Sequence, residues 1–198
     1  NCAGLFSDKV AKLDGLNPKV KIIPFRGEYY EIVNEKSHLL NNMIYPIADP
    51  DLPFLGIHLT KTVDGRIEVG PNAVLAFSRE GYSWTKFNLF ETLETITYKG
   101  MVKLGRKYFK TGIDEMYRSL NKAAFVQEVK KLLPGIESED LVQRPAGVRA
   151  QAVSDDGSLL DDFLFEEGYK SLHVLNAPSP AATASLAIGE YIASKVLN

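Results

Sequence analysis

Three arginines and one histidine sit in surroundings that could do chemistry. Arg149 lies in Gly147-Val148-Arg149-Ala150-Gln151-Ala152-Val153, among small and apolar neighbours. An arginine in mid-strand can hold a carboxylate through two parallel N–H bonds in a pocket. Facing outward, it would make only a surface ion pair of little weight. Arg26 belongs to Pro24-Phe25-Arg26-Gly27-Glu28-Tyr29-Tyr30. Gly27 permits a bulge or a close backbone approach there, so Arg26 faces either an anion or its neighbour Glu28. Arg79 stands in Phe77-Ser78-Arg79-Glu80-Gly81-Tyr82, a polar loop that either closes a site or is solvated. His58 alternates with Ile57 and Leu59 and points away from them. It is either a general base for a hydroxyl proton or a structural histidine on a strand.

A fourth feature is backbone rather than side chain. In Leu175 to Ala187, LNAPSPAATASLA, a buried strand ends in prolines and small residues and then opens a helix. Small residues let another group approach the backbone, and a helix N-terminus carries about half a positive charge. The arrangement suits an anion, including the charge a reduced flavin gathers near its pyrimidine ring. It equally suits a plain connection with close packing. Other chemistries find no support. No G-x-G-x-x-G follows a strand and there is no Walker loop. His38, His58 and His173 lack metal-ligand spacing, and Cys2 is alone and without a nucleophile signature.

The elements that must position these residues read as α+β, a mainly antiparallel sheet with an inserted helical segment. Ser7 and Asp8 are N-cap residues for a short helix that Gly15 ends. Lys21 to Val33 has strand composition, interrupted at Arg26-Gly27, and Leu39 to Ile47 suggests another strand. Gly56 to Val63 and Arg66 to Gly70 flank Asp64-Gly65, which predicts a type I′ hairpin turn. From Asn88 to Leu133 the periodicity is helical and predicts three or four helices. Strands return at Gly147 to Val153, Leu159 to Phe165 and Leu172 to Leu175, and a final helix spans roughly Ala181 to Leu197. The net charge of -2 offers no global field for nucleic acid. The Lys99 to Lys110 charges read as a solvated helix face. No apolar run reaches the roughly 20 residues of a membrane span, and a single cysteine suits a reducing, cytoplasmic setting. The opening NCAGLFSD reads as the tail of a strand entering a turn, which suggests a chain cut from a longer one.

Six segments, VKIIPFRGEYYEI, LGIHLTKTVDGRIEVGPNAVLAFSREGY, GIDEMYRSLNKAAF, PAGVRAQAV, DGSLLDDFLF and HVLNAPSPAATASLAIGEYIA, resemble the L-2-hydroxyglutarate oxidase/dehydrogenase family, within the D-amino-acid-oxidase-like flavoproteins. The resemblance implies the C-terminal, substrate-binding part of an FAD enzyme that oxidises a small dicarboxylate, L-2-hydroxyglutarate, to its 2-oxo acid by hydride transfer to flavin. It implies that Arg149 binds the substrate carboxylate, with Arg26 or Arg79 for the distal one. His58 is the expected base and Tyr82 the alternative. Ala3 and Gly4, together with Asn176, Ala177, Pro178, Ser179, Pro180, Ala181 and Ala182, are expected against the cofactor. Residues 1–15 are then a remnant of the FAD-binding domain, 16–170 a substrate domain with a helical insertion at 88–134, and 171–198 a return to the FAD-binding domain. The family's glycine-rich motif is expected upstream. Partners expected on this reading are the missing FAD-binding segment, a peripheral membrane or quinone contact, and self-association of the isolated piece. An amino acid or glycerol 3-phosphate as substrate, or a non-catalytic module binding an organic acid, remain the rival readings.

Overall fold

A computed structural model describes residues 1–47, 56–178 and 181–197. Its frame is one long strand, β1 (Val20–Ile32). From Pro24 to Ile32 every second side chain is buried, the period of a pleated strand with one face covered. β5 (Leu141–Ser154) runs antiparallel along its whole length, from Val20↔Ser154 to Ile32↔Leu141, with an irregularity between Gly27 and Tyr29. The other edge of β1 is shared. β4 (Val74–Leu75) pairs with Phe25 and Arg26, and β3 (Ile67–Gly70) pairs with Tyr30 to Ile32. β2 (His58–Lys61) closes the sheet on β3. β6 (Leu164–Gly168) and β7 (Ser171–Asn176) form a separate hairpin.

The expected α+β class holds, and four helices occupy the expected place between β4 and β5. They are α2 (Leu89–Ile96), α3 (Lys99–Lys107), α4 (Phe109–Leu120) and α5 (Lys122–Leu132). Asn88 caps α2 by accepting from the Glu91 N–H at 3.2 Å, and Asn121 caps α5 through Ala124 N–H at 3.3 Å. α5 covers the Tyr30 face of the sheet. Tyr30, Ile32, Leu59, Val69, Phe125, Val129, Ile136 and Leu141 form the largest buried cluster, with the Tyr30 and Phe125 rings 4.6 Å apart. α3 covers the opposite face at the other end of β1, where Leu104 meets Ile23 and Val153. α1 (Ser7–Leu13) packs on the Ile22 face beside β7, through Ala11, Val20, Ala152 and Leu175.

Several expectations change. Leu39 to Ile47 makes no strand. A 3-10 turn ends at Leu39, and only an isolated bridge joins Ile44 to Leu59. Leu159 touches Val153 through a lone bridge, and strand β6 begins only at Leu164. The hairpin turn is not type I′, because only Gly65 has positive φ, +86°. Gly65 N–H donates to Thr62 O and Thr62 N–H to Arg66 O, which is a three-residue loop with the glycine left-handed. Asp8 is not a cap, since a 3-10 turn, Gly4–Phe6, leads into α1. The last helix, α6 (Ser185–Leu197), starts four residues later than expected.

Candidate active site on the open face of the sheet

Directly opposed residues in an antiparallel pair share a face, and neighbours along a strand alternate. Phe25 opposes Arg149, and Tyr29 opposes Arg144. Glu31 opposes Glu68, which in turn opposes Thr60. Phe25, Tyr29, Glu31, Thr60, His58, Arg144 and Arg149 therefore share one face, and among the described residues no helix covers it beyond the α3 contact.

The side chains confirm the register. His58 stacks on Tyr45, centroids 4.5 Å apart at 16°, and the Tyr45 hydroxyl lies 3.3 Å from Thr60 Oγ1. His58 Nδ1 is 3.3 Å from Gly56 O. Assigning the proton to Nδ1 satisfies that carbonyl and leaves Nε2 as a lone-pair acceptor, the tautomer a general base requires. Burial pushes the Tyr29 hydroxyl above its ordinary pKa, with Glu68 and Tyr45 adding to the rise and Arg149 opposing it. Tyr29 is thus a protonated donor throughout the neutral range, within electrostatic reach of Arg149 and Tyr45. Arg144 Nε approaches Glu31 Oε2 at 3.3 Å further along the same face.

Arg149 and His58 are thus brought onto one face, and Tyr29 and Tyr45 join them. Sequence reasoning passed over both tyrosines, although the alternation of Tyr29 with Tyr30 carried the signal.

Arg26 is not on this face. It opposes Val148 and Val74, is 1% exposed, and turns to the covered side. The joint clamp expected of Arg26 and Arg149 is therefore not what the register builds. Arg26 Nε donates to Glu28 Oε1 at 3.1 Å, and the Trp84 ring covers its guanidinium at 4.4 Å. Arg79 is committed elsewhere. Its fork meets both carboxylate oxygens of Asp8, with Nη2 to Oδ2 at 2.9 Å, and Nη1 also donates to Leu5 O. Arg79 and Asp8 are 3% and 1% exposed, so this is a buried ion pair pinning the loop to α1. Tyr82 is half exposed on the loop whose Gly81 carbonyl faces Arg26 at 3.5 Å.

The stretch expected against the cofactor is brought beside the Ala3-Gly4 turn. Asn1 N donates to Leu172 O at 2.7 Å and Asn1 O accepts from Val174 N–H at 2.8 Å, so Asn1 lies along β7 as a parallel strand would. Gly4 has φ +52°, and no atom lies within 4 Å of where a Cβ would stand. Ala3, Ala177 and Ala182 are exposed, Pro178 and Ala181 half-buried. Ser179 and Pro180 lie outside the described residues. Asn176 is buried and donates to Leu160 O at 3.2 Å and Asp162 O at 2.7 Å. Its side chain holds the segment's shape. The small residues of this segment leave open backbone of the kind a flat ring can approach, and the segment adjoins β7 and α1, which pack on the Ile22 side of the sheet. No glycine-rich cradle for the nucleotide end is present in the sequence.

Residues 1–195 match the family of FAD-dependent oxidoreductases. The chain belongs to that family. Within the FAD-dependent oxidoreductases it is similar to an L-2-hydroxyglutarate dehydrogenase of Indibacter alkaliphilus, 54% identical over 190 residues, covering 96% of this chain and 48% of the relative. It is 48% identical to the mitochondrial L-2-hydroxyglutarate dehydrogenase of Nematostella vectensis, over 98% of this chain and 44% of the relative. The Escherichia coli K12 L-2-hydroxyglutarate dehydrogenase is also 48% identical, over 99% and 46%. The chain spans about half the length of the curated relatives it matches.

Proposed function

We propose that this chain supplies the substrate-binding half of an FAD-dependent enzyme that oxidises L-2-hydroxyglutarate to 2-oxoglutarate. The observation that supports it most directly is one sheet face bearing Arg149, Tyr29 and His58 in a member of the FAD-dependent oxidoreductases. Arg149 takes the C1 carboxylate with its fork, and Tyr29 donates a hydrogen bond to the same end. His58 Nε2 removes the hydroxyl proton as the C2–H bond delivers its electron pair, leaving a C=O bond. Bound flavin supplies the two-electron acceptor for that hydride. Ala3, Gly4, Asn176, Ala177, Pro178, Ala181 and Ala182 are the residues we assign to the ring end of the cofactor, and sequence outside this chain supplies the dinucleotide cradle. The residue bounds 1–15, 16–170 and 171–198 follow this division of labour.

The test is anaerobic reduction of the bound flavin by L-2-hydroxyglutarate. The wild-type holoenzyme is expected to bleach. His58→Ala should bleach on the order of 100-fold more slowly, the range for loss of a general base, with KM little changed. Normal turnover in His58→Ala would remove the histidine from the mechanism.

A membrane-side electron acceptor is the reading of partners we favour. No helix among the described residues is long and apolar enough to cross a membrane. From Lys99 to Ile113 there are five basic residues and no acidic one. Beside them Phe109, Ile113, Tyr117 and Leu120 of α4 are exposed. A basic flank beside an apolar stripe suits the surface of an anionic bilayer. Co-sedimentation with phosphatidylserine-containing vesicles should therefore fall in Phe109→Asp. Equal pelleting of both proteins would count against this face.

A further inference from the structure

The covered face directly behind the proposed site holds a network that the chemistry has not used. Glu28 is 8% exposed, between Gly27 and Tyr29 on β1, and turns to the side opposite Tyr29. Its Oε1 accepts from Arg26 Nε at 3.1 Å. Its Oε2 accepts from Asn72 Nδ2 at 2.8 Å and from Ser119 Oγ. Asn72 returns the contact, its Oδ1 accepting from Glu28 N–H at 2.8 Å. Ser119 in turn accepts from Trp84 Nε1 at 3.0 Å, and the Trp84 ring lies over Arg26. Five side chains from β1, the loop after β3, the loop before α2, and α4 thus close into one connected set.

Every oxygen in the set is used, while one buried nitrogen is not. Arg26 Nη2 lies 3.1 Å from Glu28 Oε1 without hydrogen-bond alignment, and it has no hydrogen-bond partner among the described residues. The set carries surplus donors around a single carboxylate, so its organisation depends on Glu28 and on whatever fixes Glu28. Buried networks of this kind specify one arrangement when their acceptors are satisfied.

What the network fixes is the backbone behind the site. The two-point Glu28–Asn72 contact joins β1 to the segment just after Gly70. A Cβ at Gly70 would stand 2.6 Å from Glu28 O and 3.3 Å from Tyr29 Cδ1, and the φ there is +136°. Gly70 is therefore pressed onto Glu28 and Tyr29, and Gly70 is the residue that His58 opposes. One clamp sets the positions of both Tyr29 and His58.

We propose that Glu28, Asn72 and Ser119 are positioning residues for the oxidation, holding Tyr29 and His58 in register from the reverse face of the sheet, with Arg26 as the internal counter-charge of Glu28. This rests on the reading that Tyr29 and His58 meet the substrate. A misplacement of about 1 Å at a reacting group costs on the order of 100-fold in rate.

The experiment compares Asn72→Ala, Ser119→Ala and Ser119→Thr in the flavin-loaded enzyme, well below their melting temperatures. Asn72→Ala is expected to lose on the order of 10- to 100-fold in kcat/KM, with flavin content unchanged. Ser119→Ala, on the half-buried side of α4, is expected to lose less and to remain folded if Asn72→Ala does not. Ser119→Thr, which keeps the hydroxyl, should restore most of the loss. Folded, flavin-loaded alanine variants with wild-type kcat and KM overturn the proposal, as does a loss in thermal stability alone. If wild-type flavin is not reduced by L-2-hydroxyglutarate, the substrate reading falls, and the crystal structure of Ser119→Ala decides the network separately. Displaced His58 and Tyr29 support it, and unmoved ones end it.

Discussion

Asp8→Ala is expected to destabilise the protein by about 3–5 kcal/mol, the range for removing one partner of a buried ion pair. The Asp8 carboxylate receives the Arg79 fork, the Lys9 N–H at 2.9 Å and the Ile22 N–H at 3.2 Å. Removing it leaves a guanidinium buried with the Leu5 carbonyl as its remaining acceptor among the described residues, and orphans two backbone donors. At a chain length near 200 residues such a loss lowers the melting temperature by roughly 10 °C. Arg79→Met should cost less, because Asp8 keeps its two backbone donors. The double variant Asp8→Leu with Arg79→Met should recover part of the loss, since no charge is then stranded. The same series separates two roles for Arg79. A substrate arginine would show its effect in KM with stability nearly intact. A pin between loop and helix shows it in the melt, with KM intact in whatever remains folded. A thermal or denaturant midpoint for Asp8→Ala equal to wild type would mean that the pair contributes nothing.

The difference between those two roles was not legible in the residues themselves. Arg26, Arg79 and Arg149 look alike in the sequence, each beside small residues or a glycine. What distinguishes them is pairing with segments far along the chain. Arg149 reaches the open face because it opposes Phe25, more than a hundred residues earlier, and a shift of one residue would have sent it to the core. Arg79 is taken up by Asp8, which read as a helix cap because acidic residues near a helix start usually act locally. The local signals did better. Asp64-Gly65 placed its hairpin, though not the turn type, and the helical periodicity from Asn88 placed the start of the helical segment, where Asn88 turns out to cap α2. Leu39 to Ile47 had strand composition but only a bridge to Leu59, because composition describes a surface that fits a sheet and not whether a partner edge is available. Tyr29 could have been found. In an alternating strand next to a core tyrosine, its side chain had to face the opposite side, where Arg149 and His58 were already suspected.

Arg149→Lys is expected to raise KM for L-2-hydroxyglutarate by roughly 10- to 100-fold in the flavin-loaded enzyme. The substitution keeps the positive charge, so simple Coulomb attraction survives. What it removes is the planar fork that offers a carboxylate two parallel bonds. Losing one charge-assisted hydrogen bond costs about 1.5–3 kcal/mol, and each 1.4 kcal/mol is about tenfold in affinity. Stability should barely move, because Arg149 is exposed on its strand. Arg26→Lys should behave in the opposite way. Its partner Glu28 and the covering Trp84 ring are on the buried side, so the melting temperature should fall. His58→Ala completes the contrast by acting on the chemical step while binding persists. Three variants on one sheet therefore predict three different signatures, in KM, in stability and in kcat. An Arg149→Lys enzyme with unchanged KM would move the carboxylate site away from this face. A second arginine on that face is Arg144, which already meets Glu31, and its replacement would be the next measurement.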